Sequence, residues 1–183
     1  MAPGTIQSDR FSWNRRLARY VKDGQHEKTI KLFQDMQQKG ITPDTFTFVP
    51  VLNACASFLA LEEGRWPHEQ IIQSGYEADV FVGCSLIDMY AKCGSMDDAQ
   101  RVFSKMPSRD VVTWNAMILG HVKSAQGHKA LELFRQMQQE GLSLTFSLET
   151  LQELGHVLPG IQMDTSHTKG TGKMATWLSL GDL

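Results

Sequence analysis

The sequence predicts an all-α fold, an α-solenoid of stacked helix-turn-helix repeats. Three observations carry that expectation. A ten-residue phrase recurs, "KLFQDMQQKG" at 31–40 and "ELFRQMQQEG" at 132–141. The distance between the copies divides into repeat lengths: units 10–44, 45–79, 80–110 and 111–145 hold 35, 35, 31 and 35 residues, and the first three span 101. Each unit carries two stretches of helical period around a turn signal, the mark of a repeat array rather than a single-core domain.

Taken in order, the first unit, "FSWNRRLARYVKDGQHEKTIKLFQDMQQKG", aligns with the fourth, "VTWNAMILGHVKSAQGHKALELFRQMQQEG". Trp13 falls on Trp114, Asn14 on Asn115 and Gly40 on Gly141. Between them stand "TFTFVPVLNACASFLALEEGRWPHEQIIQSGYEAD" and "VFVGCSLIDMYAKCGSMDDAQRVFSKMPSRD". In the fourth unit Trp114, Met117, Ile118 and Val122 recur at helical spacing. After "SAQG" come Ala130, Leu133, Phe134 and Met137. Gly40, Gly75 and Gly141 close their second helices as C-caps, and Pro107 ends that of the shorter third unit. A lone hairpin cannot bury its apolar face, so the units must stack.

The flanks carry less pattern. Residues 1–9 read as a short N-terminal segment, 146–158 as a possible partial repeat helix, and 159–183, rich in Gly, Thr and Ser, as a flexible tail. "MAPGTIQSDR" has no apolar stretch and an early acid, which argues against a secretory signal and gives no clear transit peptide.

Composition excludes several classes. No apolar run reaches about 18 residues, so no transmembrane helix is expected. Cys55, Cys84 and Cys93 form no CxxC pair and are odd in number, which fits reduced thiols rather than a disulfide framework or zinc site. His68 beside Glu69 lacks the PCxxC of a zinc deaminase, and His121 and His128 merely flank a turn. No nucleophile triad, P-loop or GxGxxG is present. The expectation is a non-enzyme without metal or cofactor.

The motifs "TWNAMI", "ALELFRQMQQEG" and "GITPD" resemble the pentatricopeptide repeat family of land-plant organelles. The 35–35–31 alternation, with "LNACA" and "LEEG" followed by "LIDMYAKCG", "DDAQRVF" and "KMP", resembles the P–L–S triplets of its PLS subclass. That assigns 10–44 as P, 45–79 as L, 80–110 as S and 111–145 as P. The 34-residue tetratricopeptide pattern fits worse in length and closure. The resemblance implies an α-solenoid that binds single-stranded RNA, one base per repeat. It further implies non-catalytic recognition of organellar RNA-editing sites, with an editing deaminase or another editing factor as partner in trans. A monomer in the mitochondrion or chloroplast, off the membrane, is expected. The subclass's deaminase-like domain has no counterpart after Gly141, so the chain reads as truncated or diverged there.

By the same resemblance a base is read by the fifth residue of the first helix with the last residue of the unit. The pairs are Asn14 with Asp44, Val49 with Asp79, Cys84 with Asp110, and Asn115 with Thr145. Asn with Asp implies uridine, and Asn115 with Thr145 a pyrimidine. The alternative for Asp44, Asp79 and Asp110 is plain helix N-capping. Asn is a poor helix former, so its return at one offset in Asn14 and Asn115 wants a reason. Phe11, Phe46, Phe81 and Val112 are the family's base-sandwiching positions, with inter-repeat core as the alternative.

Charge adds an independent argument. The four first-helix stretches hold Arg10, Arg15, Arg16, Arg19, Lys22, Lys92 and Lys123 against one acid, Asp88, a net +6 in a chain of net −2. A surface lined by these helices would be basic, as phosphate binding requires. Lys22, Lys92 and Lys123 share one register and are the candidate phosphate contacts; complementing helix C-termini is the alternative. Together these features predict weak, pyrimidine-leaning, salt-sensitive RNA binding, against a protein-binding scaffold or an inert remnant.

Overall fold

A computed structural model of the chain describes residues 3–142 and the strand segments 145–146, 161–163, 175–176 and 178–180, with side chains described for 9–142. The chain divides into two compact units, Met1–Ser108 and Arg109–Leu183.

The first unit holds α1 (Pro3–Lys22), α2 (His26–Gln38), α3 (Thr45–Phe58), α4 (Leu61–Ser74), a 3₁₀ turn (Tyr76–Ala78), α5 (Val80–Lys92) and α6 (Met96–Lys105). They form three hairpins: α1 on α2, α3 on α4, and α5 on α6. α3 also packs against α1 and α5, so the first helices of the hairpins lie side by side with α3 central. Leu17, Phe33, Met36, Phe48, Leu52, Ile71, Leu86, Ile87 and Met89 are buried between them. Phe33 meets Phe48 and Trp66 edge-on at 6.2 and 5.1 Å, which ties the first hairpin to the second.

Local chemistry sets the ends. Asp44, Asp79 and Asp110 each accept a hydrogen bond from the backbone N–H three residues on, the N-cap geometry. Gly40 takes φ +70°, and Ile41 N–H donates back to the Met36 carbonyl, closing α2 as a left-handed C-terminal cap does. Elsewhere glycine permits close approach. A Cβ at Gly64 of α4 would stand 2.5 Å from Met89 Sδ on α5.

The second unit holds α7 (Val111–Lys123) and α8 (Gly127–Gln139), a fourth hairpin around Trp114, Met117, Ile118, Phe134 and Met137. Beyond it are short antiparallel pairs: β1 (Thr145–Phe146) with β3 (Ala175–Thr176), and β2 (Ile161–Met163) with β4 (Leu178–Leu180). The sequence reading anticipated no strand. The expected partial repeat helix, apart from Phe146, and the rest of the expected tail lie outside the described residues.

At the other end, α1 begins at Pro3, so residues 3–9 are helical rather than a separate segment. Proline suits a first helical turn, and no proline or glycine interrupts residues 5–22.

Candidate nucleic-acid interface

Large apolar side chains belong inside, so exposed aromatics at a fixed offset mark a surface with a task. Phe11, Phe46 and Phe81 are 72%, 75% and 73% exposed, on the adjacent helices α1, α3 and α5. Val112, at the same offset on α7, is also exposed. The four side chains are therefore not inter-repeat core. In the first unit the three rings border an open groove of about 860 Å³ that is also lined by Ala18, Val49 and Pro50 and by the polar Arg10, Asn14, Arg15 and Asp44.

Asn14 and Asp44 are directly bonded. Asn14 Nδ2 donates to Asp44 Oδ1 at 2.9 Å, and Thr47 Oγ1 donates to Asn14 Oδ1 at 2.6 Å. A carboxylate only accepts, so Asp44 fixes which end of the amide faces it. Asp44 Oδ1 also takes the Thr47 N–H at 3.0 Å, and the Asp44 N–H donates to Thr47 Oγ1 at 3.2 Å, a capping box. Its other oxygen, Oδ2, pairs with Arg10 Nε at 3.2 Å. Capping and pairing with Asn14 thus coexist on one carboxylate. Counting bonds, the Asn14 amide keeps one N–H and one oxygen lone pair for a ligand.

The other positions differ. Asp79 caps α5 and accepts from Thr45 Oγ1 at 3.1 Å, while Val49 at the fifth position adds only apolar surface to the groove. Asp110 caps α7 through the Thr113 N–H and takes the Thr113 hydroxyl at 2.7 Å. Cys84, on α5, is half-buried, as is Asn115 on α7. Thr145 lies in β1, and its side chain is outside the described residues.

Lys22, Lys92 and Lys123 are exposed in the last turns of α1, α5 and α7, where their charge complements the helix dipole. Lys92 Nζ is held by Asp88 at 2.7 Å. Several cations of the sequence count are likewise engaged. Arg10 pairs with Asp44, and Arg19 with Asp23 at 3.7 Å. Arg16 lies 5.1 Å from the Trp13 ring centroid, with Lys39 at 5.0 Å. The basic surface is therefore weaker than the residue count implies.

Sequence reasoning missed the supporting roles of Arg10, Thr45 and Thr47. Their signal was present: Arg10 and Thr45 each open a unit and bond to the Asp that closes it, 34 residues on. A second hollow, about 300 Å³, lies over α4, α5 and α6. There His68 Nδ1 is 2.7 Å from the Tyr90 hydroxyl, amid Arg65–Asp98, Arg101–Asp98 and Lys105–Glu77 ion pairs. Burial lowers the His68 pKa below 6.5 and pushes the Tyr90 phenol up to about 12. Among the described residues no group of three or more His, Cys, Asp or Glu could hold a metal ion, and no helix is long and apolar enough to cross a membrane.

Comparison with known proteins finds the same kind of repeat. The PPR repeat family model matches residues 8–57 and 109–147, and the PPR repeat model residues 84–111. Arabidopsis thaliana pentatricopeptide repeat-containing protein At4g30700 is 39% identical over 134 residues, 73% of this chain and 17% of that protein. At3g02330, mitochondrial, is 40% identical over 75% of this chain and 15% of its own length, and At4g25270, chloroplastic, 38% over 74% and 26%. The chain thus spans about a quarter or less of these relatives.

Among solved structures, the maize pentatricopeptide repeat protein PPR10 in complex with an 18-nt psaJ RNA element superposes with TM-score 0.66 at 23% identity, covering 79% of this chain and 22% of that one. PRORP2 of A. thaliana, a nuclear proteinaceous RNase P, gives 0.64 at 15%, covering 81% and 34%. These likenesses establish the helical-repeat fold. With the recurring hairpins, their Asp caps and the family matches over most of residues 8–147, the chain belongs to the pentatricopeptide repeat family.

Proposed function

We propose that this chain is a non-catalytic reader of single-stranded RNA, taking one base per repeat from the exposed face of the first helices. The observation that carries the reading is the Asn14–Asp44 bond of 2.9 Å, in a groove that the exposed rings of Phe11, Phe46 and Phe81 also line. A base entering that groove stacks on sequence-tolerant faces worth about 1–3 kcal/mol, while the oriented amide meets its edge. The pairing leans to uridine by family resemblance. The same groove is also lined by Val49 and Pro50, which offer apolar surface but no side-chain hydrogen bond. The similarity to PPR10, solved with an RNA element, supports the same ligand class.

The finer reading is that the units follow the PLS pattern and that the protein marks organellar RNA-editing sites as a monomer, the deaminase coming from a partner. The 35–35–31 unit lengths support it, as do relatives named mitochondrial and chloroplastic.

Titration of the chain with oligo-U, oligo-A and duplex RNA at several salt concentrations tests the proposal. Tightest binding to oligo-U, weakening as salt rises, is expected. Indifference between single strand and duplex sinks it and favours a protein-binding scaffold.

A further inference from the structure

Beside the Asn14–Asp44 pair stands Arg10, bonded to Asp44 and lining the same groove. We propose that Arg10 contacts the backbone phosphate of the nucleotide whose base enters that groove, an inference that rests on the RNA-binding function proposed above.

The side chain is 30% exposed in the lining of the groove, and its contact with Asp44 Oδ2 runs through Nε. Four of the five guanidinium N–H donors sit on the two Nη atoms, and they remain for a ligand. A planar fork of N–H donors matches phosphate oxygens bidentately, which a lysine ammonium cannot do. The ion pair also holds the guanidinium in place, so less rotamer freedom is lost when an anion arrives. Electrostatics point the same way. Asp44 alone would set a negative charge beside an approaching phosphodiester. Arg10 offsets it, and Arg15 in the same lining then leaves the groove net positive. The ring at Phe11 follows Arg10 directly in sequence, so base stacking and phosphate contact are coupled through one turn of α1.

The test compares the wild-type chain with Arg10→Ala, Arg10→Lys and Lys31→Ala, measuring oligo-U affinity against salt and checking helicity by circular dichroism. Lys31 on α2 is an exposed cation paired with Glu27 and is no part of the groove lining, so it controls for net charge. Arg10→Ala should weaken binding and lower the magnitude of the log–log salt slope by about 0.7, one phosphate on a single strand. Arg10→Lys should keep the slope, and Lys31→Ala should leave it as in the wild type. An unchanged slope in Arg10→Ala, or an equal fall in Lys31→Ala, overturns the Arg10 contact alone. A wild-type chain that binds no oligo-U overturns the RNA-binding proposal, and this contact with it.

Discussion

Asp44 should be costlier to lose than Asp79, because its carboxylate supports both the start of α3 and the amide of Asn14. In Asp44→Ala the N-cap of α3 goes, a loss of about 1 kcal/mol. The half-buried Asn14 amide loses its acceptor, about another 0.5–1 kcal/mol. The Arg10 pair adds little, since the arginine is part-exposed and regains water. Together that is about 1.5–2 kcal/mol, a fall of roughly 3–8 °C in Tm for a chain of this size. Asp79→Ala loses its cap and one contact from a hydroxyl that can rotate to water, about 1–1.5 kcal/mol in all. Asp44→Asn keeps a capping oxygen and should stay close to wild type. Thermal melts by far-UV circular dichroism give the order: wild type, then Asp79→Ala, then Asp44→Ala. An Asp44→Ala chain that melts with the wild type, or no lower than Asp79→Ala, refutes the shared-carboxylate argument.

Other perturbations separate binding from folding. Phe46→Ala removes a ring that is 75% exposed, so its melt should barely move while oligo-U affinity falls by about 1–3 kcal/mol in a fluorescence titration. Gly64→Val drives a side chain onto Met89 and should destabilise by about 1–3 kcal/mol in urea unfolding, with Met89→Ala as a partial rescue. His68 has a pKa lowered chiefly by burial, so below about pH 6.5 the unfolded chain takes up a proton that the folded chain resists. Its contribution to stability is present above that pH and is lost as pH falls. Tm should hold between pH 8 and about 6.5 and decline below, and His68→Phe should flatten that limb.

Much of the fold was legible because repeats write the same physics several times. The phrase at 31–40 places Leu32, Phe33 and Met36 at helical spacing, and all three are buried. Glycines at unit ends take positive φ, as at Gly40, Gly75 and Gly141, and aspartates before helices cap them. The exposure of Phe11, Phe46 and Phe81 was legible only through the family resemblance, with core as the alternative, since spacing alone cannot tell a ring facing solvent from one facing core. Pairings across 30 or more residues were not legible. Arg10 with Asp44 depends on where the closing residue of a unit returns, and composition counts that arginine as free charge. The helical start at Pro3 was obscured because residues 1–9 fall outside the repeat period. The approach of α4 to α5 at Gly64 was likewise hidden, because a glycine inside a helix looks like a weak point until its neighbour is known.

The central claim is that Asn14, oriented by Asp44, chooses the base. Its most direct test is the ratio of oligo-U to oligo-A affinity in the wild type and in Asn14→Ala, with helicity checked in both. One well-made hydrogen bond is worth about 0.5–1.5 kcal/mol. The preference for oligo-U should therefore shrink by roughly two- to tenfold, toward unity, while far-UV circular dichroism stays unchanged. A preference that survives intact in folded Asn14→Ala contradicts the account and moves the readout to another residue.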